Sequence, residues 1–416
     1  MSVVTFAAAR RIVEEHARLR KPGGMESVPL LPARQRVLAA AIVADRDFPP
    51  FARATRDGYA VRVADLTHLP ARLHVVGEIK AGACGEALSR SLQPDETMAI
   101  MTGAPVPSGA DAVLMVEYAA REGEFMIPAR SVTGGENIVP QGAEARAGQS
   151  LLAVGSSLGP AAIAVAASVG QSEVLVYRRP RVAILSTGDE LVEVAARPGP
   201  SQIRNSNSYS LAAQTAEAGA HPILLPAARD EADSLRQAIA QGLTADLLVI
   251  TGGVSMGKYD LVEQELARLH AEFYFTGVLI QPGRPVVFGS VPAEGEGAAV
   301  PPRLFFGLPG NPVSAAVTFD LFVRPVIEAL SGATVRPLVF LQAKLRSEVR
   351  CKTGLTRFLP AVLGGEFEIA EVEIVRWQGS GDIAAAARAN CYLVVPPERE
   401  SMLPGELVSV LVHRSR

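Results

Sequence analysis

Three glycine-bearing segments carry residues suited to chemistry on a phosphorylated substrate. They read Ser186-Thr187-Gly188-Asp189-Glu190, then Thr251-Gly252-Gly253-Val254-Ser255-Met256-Gly257 running on to Tyr259-Asp260, then Leu308-Pro309-Gly310-Asn311-Pro312-Val313-Ser314. Glycine lets the backbone approach a ligand closely, and N–H groups near a helix start favour an oxyanion. Glu190 and Asp260 lie in these segments, and Asp230 follows another strand in Ala228-Arg229-Asp230-Glu231. Acids beside an anion cradle make sense if a divalent cation bridges them to phosphate, since Mg²⁺ takes carboxylates together with substrate oxygens. Each feature also has a plainer reading: turn chemistry for the glycine loops, and for Asp230 the N-cap of the next helix. Neither GxGxxG nor GxxxxGK[ST] occurs, so the nicotinamide and P-loop readings fall.

The elements that must position these loops follow from periodicity. From residue 181 apolar strands alternate with helical stretches. Strands are expected at 182–186, 222–225, 246–251, 275–280, 286–288 and 304–307, and helices at 208–218, 231–241, 261–269 and 313–330. That alternation predicts a doubly wound α/β domain, whose ligands bind at the carboxyl ends of the strands, where all three loops lie. Upstream, an amphipathic helix places Phe6, Ala9, Val13 and Ala17 on one face. A second helix is expected over 32–43 and a third over 159–170, with a strand at 173–177. Short apolar runs at 73–79, 112–117 and 124–127 between Gly and Pro punctuation predict a small β-rich module. After Gly332 short strands with polar turns return. The fold class is therefore multidomain α/β plus β. The expected division is 1–50 with 143–177 as an amino-terminal linker/helical domain, 51–142 as a β-rich module (the two together a helical/β module), 178–330 as the α/β domain, and 331–416 as a β-barrel-like domain.

In their order along the chain, Ser-Thr-Gly-Asp-Glu-Leu, Gly-Gly-Val-Ser-x-Gly-x-x-Asp and Leu-Pro-Gly-Asn-Pro-Val-Ser resemble the molybdopterin-binding domain of the MoeA-type molybdopterin molybdenumtransferases, whose eukaryotic counterpart is the gephyrin E domain. Asp57-Gly58-Tyr59-Ala60-Val61 and Met101-Thr102-Gly103-Ala104-Pro105 look like two further signatures of that family, and Gln378-Gly379-Ser380-Gly381 with Ala389-Asn390 resembles a motif of its last domain. The resemblance implies a reaction on adenylylated molybdopterin, opened in the presence of Mg²⁺ while molybdate is placed on the dithiolene, giving molybdenum cofactor and AMP. It implies substrate binding by Gly252, Gly253, Ser255, Arg284, Pro309, Gly310, Asn311, Pro312, Ser314 and Ser380. It assigns catalysis to Asp57, Thr102, Glu190 and Asp260, and the metal to Glu190, Asp230, Asp260 and Glu144. It further implies an elongated homodimer whose cleft joins the α/β domain of one subunit to the β module of its partner, with a molybdopterin adenylyltransferase and apo-molybdoenzymes as protein partners.

The sequence departs from the family pattern at several positions. Where Lys-Pro-Gly-Lys-Pro is common, Gln281-Pro282-Gly283-Arg284-Pro285 stands. Arg284 can still hold an oxyanion, whereas Gln281 carries no charge. The usual Gly-Glu-Asp reads Gly142-Ala143-Glu144, and Arg56 precedes Asp57 where a small or apolar residue is usual. These changes keep one alternative in play, a catalytically weakened molybdopterin-binding scaffold. A second, a paralogue inserting tungstate, stands because the sequence does not separate molybdate from tungstate.

Composition bounds the rest. The 40 basic and 43 acidic residues give a net charge of −3, which argues against a broad phosphate-tracking surface and hence against nucleic acid as a partner. The basic residues are 35 arginines and only five lysines. Cys84, Cys351 and Cys391 are widely spaced with no CxxC, as expected of reduced thiols. With no signal-like amino terminus and no run of about 18 apolar residues, the expectation is a soluble cytoplasmic protein without a membrane partner.

Overall fold

The structure is a computed structural model that describes residues 2–83, 89–253, 261–293, 301–367 and 369–413. Cys84, Ser255 and Asp260 lie outside the described residues.

The α/β domain is built on a six-stranded sheet in the order His221–Leu224, Arg181–Ser186, Leu247–Thr251, Arg303–Leu308, Val287–Val291 and Glu272–Phe275. The first four strands are mutually parallel, and the last two are added by antiparallel pairing, so that Val287–Val291 runs against the other five. The central strands are apolar at successive positions because both faces are covered. Val182 and Ile184 face one core with Val249 and Phe306, while Ala183 and Leu185 face the other with Leu248, Ile250 and Phe305. From Arg181–Ser186 the chain crosses to His221–Leu224 on one side and then to Leu247–Thr251 on the other. The crevice at that reversal is where a doubly wound sheet binds its ligand.

The expected helix over 313–330 forms, but in three parts: Pro312–Thr318, a π-helical turn Phe319–Val323, and Arg324–Leu330. Pro325 has no N–H to give the Leu321 carbonyl, which would otherwise be its partner four residues back. The buried guanidinium of Arg10 donates to that carbonyl through Nη1 instead. This contact shows where the first helix, Phe6–Arg18, belongs. Thr5 caps it by accepting from the Ala8 N–H at 3.3 Å, and its Ala9, Val13 and Ala17 stripe is buried in the core of the α/β domain. The strand Val3–Val4 before it pairs with Gly277–Val278 of the same domain. The opening helix is thus packed on the α/β domain, away from the module that begins at Met25.

That module pairs Met25–Pro29 with Glu173–Tyr177 and Ile42–Val43 with Ser150–Leu152, and adds the helix Pro160–Ser168. The helix expected over 32–43 does not form. Residues 30–35 make successive turns, Val37 and Leu38 bridge to Ser157 and Val176, and Ile42–Val43 is a strand. Its apolar residues Ala33, Leu38 and Ile42 reach the same core from extended backbone, because pairing with the 150–176 segment wins over helical spacing.

The β module is a six-stranded sheet ordered Ala112–Met115, Gly58–Val61, Glu96–Ile100, Leu73–Ile79, Phe125–Pro128 and Ala119–Glu122. It has a small core on each face. The carboxyl-terminal domain is a closed five-stranded barrel. Thr356–Gly364 pairs in turn with Glu371–Ile374, then Phe340–Leu345, Leu407–Val412 and Cys391–Val395, which returns to Thr356–Gly364. Among the described residues no helix is long and apolar enough to cross a membrane.

Candidate functional site

Two of the three glycine loops, with the described start of the third, meet at the carboxyl edge of the α/β sheet around a cleft of about 780 Å³. Thr187, Gly188 and Glu190 line it after the first strand, Gly252 and Gly253 after the second, and Pro309 to Pro312 after the third. Asp230 comes from the loop before the helix Ala232–Gly242, and Gly381 and Ile383 reach in from the carboxyl-terminal domain.

The glycines are there for space as much as for conformation. Gly252 has φ +88°, and a Cβ on it would stand 2.5 Å from the Thr187 carbonyl oxygen. A Cβ on Gly310 would meet the Gly252 Cα at 3.5 Å, so the two loops touch backbone to backbone. The Gly252 N–H donates to the Leu308 carbonyl at 3.2 Å, and the Val313 N–H donates to the Ser380 carbonyl at 3.0 Å. These two amides hold the cleft walls together and are not the ligand's donors. Ser380 therefore joins the barrel domain to the start of the long helical run through its backbone.

Residues that the motif reading passed over supply the side-chain framework. Asn207 donates Nδ2 to the Thr251 hydroxyl at 3.0 Å and to the Gly310 carbonyl at 2.7 Å, and Thr251 donates onward to the Pro309 carbonyl at 3.0 Å. One amide thus pins the second loop to the third. Asn205 caps the helix Ser206–Glu217 by accepting from the Ser208 N–H, and Ser186 donates to Asn205 Oδ1 at 3.1 Å. The sequence signal is Asn205-Ser206-Asn207-Ser208, a run of capping residues, and the helix starts at Ser206, two residues ahead of the 208 that periodicity predicts. Thr187 Oγ1 is buried with no hydrogen-bond partner among the described residues, a costly state for a hydroxyl beside a binding cleft.

The acids divide. Glu190 and Asp230 line the cleft, and the Asp230 N–H donates to Asp189 Oδ1 at 3.3 Å. Burial raises the pKa of Asp230 above the ordinary aspartate range, and the nearby charges of Asp189 and Glu190 add to the effect. Glu144 is not in this group: it accepts from Arg53 at 2.8 Å in the amino-terminal half. No cluster of three or more His, Cys, Asp or Glu forms a closed metal cage among the described residues. A cleft offering two carboxylates still fits Mg²⁺, which keeps substrate oxygens or waters in the rest of its octahedron. Ser314 is buried, and its carbonyl accepts from Thr318. Arg284 is exposed beside the cleft-lining Pro285. Gln281 faces elsewhere: its Oε1 accepts from the Nε of the buried Arg357 of the barrel at 2.8 Å.

Asp57 and Thr102 form a second constellation in the β module and do not line this cleft within the chain. Asp57 Oδ1 accepts from the Thr102 N–H at 2.7 Å and from its hydroxyl at 2.8 Å. The backbone N–H first, and then the hydroxyl, hold the Asp57 carboxyl below its usual pKa. The pair is exposed, so it presents a fixed carboxylate outward.

A doubly wound domain with this loop edge, carried between a β module and a small barrel, is the molybdopterin-binding class of architecture. Residues 4–170 match the model of the MoeA N-terminal region (domain I and II), 183–329 that of a probable molybdopterin binding domain, and 342–413 that of the MoeA C-terminal region (domain IV). The chain is 36% identical over 397 residues to the molybdopterin molybdenumtransferase of Nostoc sp., covering 93% of this chain and 88% of that one. It is 33% identical over 416 residues to that of Bacillus subtilis, covering 98% and 93%. The crystal structure of the molybdopterin biosynthesis moeA protein from Pyrococcus horikoshii OT3 superposes with a TM-score of 0.80 at 28% identity, covering 99% of this chain and all of that one (100%). The chain belongs to the molybdopterin molybdenumtransferase family.

Proposed function

We propose that this chain inserts molybdate into adenylylated molybdopterin, opening the phosphoanhydride to adenylate and releasing AMP and molybdenum cofactor. The observation that carries the reading is the convergence of Glu190 and Asp230 with the glycine loops around one cleft, in a chain that matches this family from end to end. The Gly252 and Gly310 loops, clamped by Asn207, shape the walls against which the phosphates lie. Arg284 stands at the rim as a partner for an oxyanion. Glu190 and Asp230 would hold Mg²⁺, with Asp260 completing the acid set that the motifs imply. Once bound, the cation offsets phosphate charge that the acids alone would repel. Asp57, held ionised by Thr102, would come from the other subunit of a homodimer to meet the reacting group. The framework retains its acids and loop closure, and the charge lost at Gln281 falls on a residue bonded to the barrel, which favours an active enzyme over a scaffold.

The test is AMP release from adenylylated molybdopterin with Mg²⁺ and molybdate. The full chain should release AMP well above background, and Glu190→Ala should lose turnover far more than pterin binding. Pterin binding with no AMP release by the unaltered protein would instead support the scaffold alternative.

A further inference from the structure

The three central parallel strands begin where a second cavity lies, of about 640 Å³. Arg181, Asp246 and Arg303 line it at the amino ends of Arg181–Ser186, Leu247–Thr251 and Arg303–Leu308. Five residue steps at about 3.3 Å each separate it from the loop cleft by roughly 17 Å, so it is a different place on the molecule. Arg20 and Lys21 enter from beyond the first helix, and Arg178 and Arg179 from the segment leading into the sheet. Asp246 is the one carboxylate lining it among the described residues, and that group is committed. Its Oδ2 accepts from the Arg181 N–H at 2.7 Å, and its Oδ1 lies 3.8 Å from Arg303 Nη1.

An arginine-rich chain could gather cations by chance, but several buried or half-buried arginines of other regions meet acids. Arg10, Arg36, Arg130, Arg236 and Arg324 each meet an acid. Here six cationic side chains line one cavity, with one carboxylate among the described residues. Arg20 is the most exacting of them. Its Nη1 donates to the Pro302 carbonyl at 2.7 Å, while its Nε is buried with no partner among the described residues. Burial lowers its pKa below the ordinary guanidinium value, against a raising contribution from Tyr274 and with a smaller lowering one from the like charge of Arg303. An unsatisfied guanidinium N–H beside like charge is destabilising unless an acceptor fills the space, and an anion does so while also offsetting the charge. Arginine forks match phosphate oxygens in pairs, and Leu19, Pro180 and Leu330 give the cavity an apolar wall as well.

We propose that this cavity is a second ligand site, built for a pyrophosphate group carried on a small organic body of nucleoside-diphosphate size. Its volume falls in the range of small-molecule pockets. The site is independent of the insertion reaction proposed above.

The probes are inorganic pyrophosphate and ADP, titrated calorimetrically into the full chain at about 150 mM salt, where diffuse surface charge is screened. The unaltered protein should bind both, with ADP the tighter because of the apolar wall. Arg178→Gln combined with Arg179→Gln should weaken ADP about tenfold or more, equivalent to about 1.4 kcal/mol, and Arg20→Gln should do the same. Arg284→Gln at the loop cleft should leave this binding within about twofold, and AMP release by the double variant should match the unaltered protein. Thermal melting of each variant without ligand separates lost binding from lost folding. The proposal is overturned if neither probe binds, if sulfate binds as tightly as pyrophosphate, or if Arg284→Gln abolishes ADP binding while the cavity variants keep it. It is equally overturned if a polyglutamate peptide binds there and pyrophosphate does not.

Discussion

Thr102 acts on Asp57 through two atoms, and they can be separated. Thr102→Val removes the hydroxyl donor and keeps the backbone N–H, which makes the larger contribution. The Asp57 pKa, followed by carboxyl-carbon NMR, should therefore rise but remain below an unperturbed aspartate. The depressed pKa also fixes a sign. Support from ionised Asp57 is present above the unfolded value near about 4 and is lost as pH falls through the folded one. Asp230 runs the other way. Its raised pKa means that ionisation costs the fold, so stability is fullest below the unfolded pKa and declines as pH rises through the folded one. Asp230→Asn should raise the melting temperature at pH 7 by about 1 °C, a small gain because the group is largely solvated. The gain should close as pH falls toward about 4, where the native acid is also protonated. The same variant should lose AMP release, since the acid is retained for its charge. A melting temperature unchanged by Asp230→Asn at both pH values would contradict the repulsion argument.

At the scale of elements, what could be read in advance depended on how unambiguous the local pattern was. Strands buried on both faces show as unbroken apolar runs, and glycine loops at their ends announce themselves, so the α/β domain and most of its cleft were legible. The 32–43 segment was misread because Leu38 and Ile42 sit at helical spacing yet are placed by pairing to distant residues. Gly58–Val61 and Glu96–Ile100 went unread because both are short and lack alternation. Asn207 was missed because its role lies in contacts with residues 44 and 103 positions away. Gln281 shows how a contact can change the meaning of a departure. The strand Ile280–Gln281 pairs with Thr356 and Arg357, and the Gln281 amide satisfies a buried guanidinium. Gln281→Lys would exchange that acceptor for a second cation beside Arg357. It should cost about 1–3 kcal/mol of stability and bring no gain in AMP release. Faster turnover at unchanged melting temperature would show instead that the missing lysine limits catalysis.

Across the whole molecule the two constellations present a geometric problem. Asp57 and Thr102 occupy the β module, Glu190 and Asp230 the sheet edge, and within one chain the former do not line the cleft of the latter. If both act on one substrate, a second copy must bring the β module to the cleft, and a two-fold arrangement then creates two equivalent composite sites. Mixing inactive proteins tests this directly. Take Asp57→Ala and Asp230→Asn, each without turnover alone, and let equal amounts exchange subunits. In a composite arrangement every mixed dimer has one site carrying both changes and one carrying neither. Random exchange makes half the dimers mixed, so activity should recover to about a quarter of the unaltered enzyme. If each chain instead completed its own site, every site in every dimer would hold a lesion, and mixing would restore nothing. The separation of Asp57 from Asp230 within the chain favours recovery.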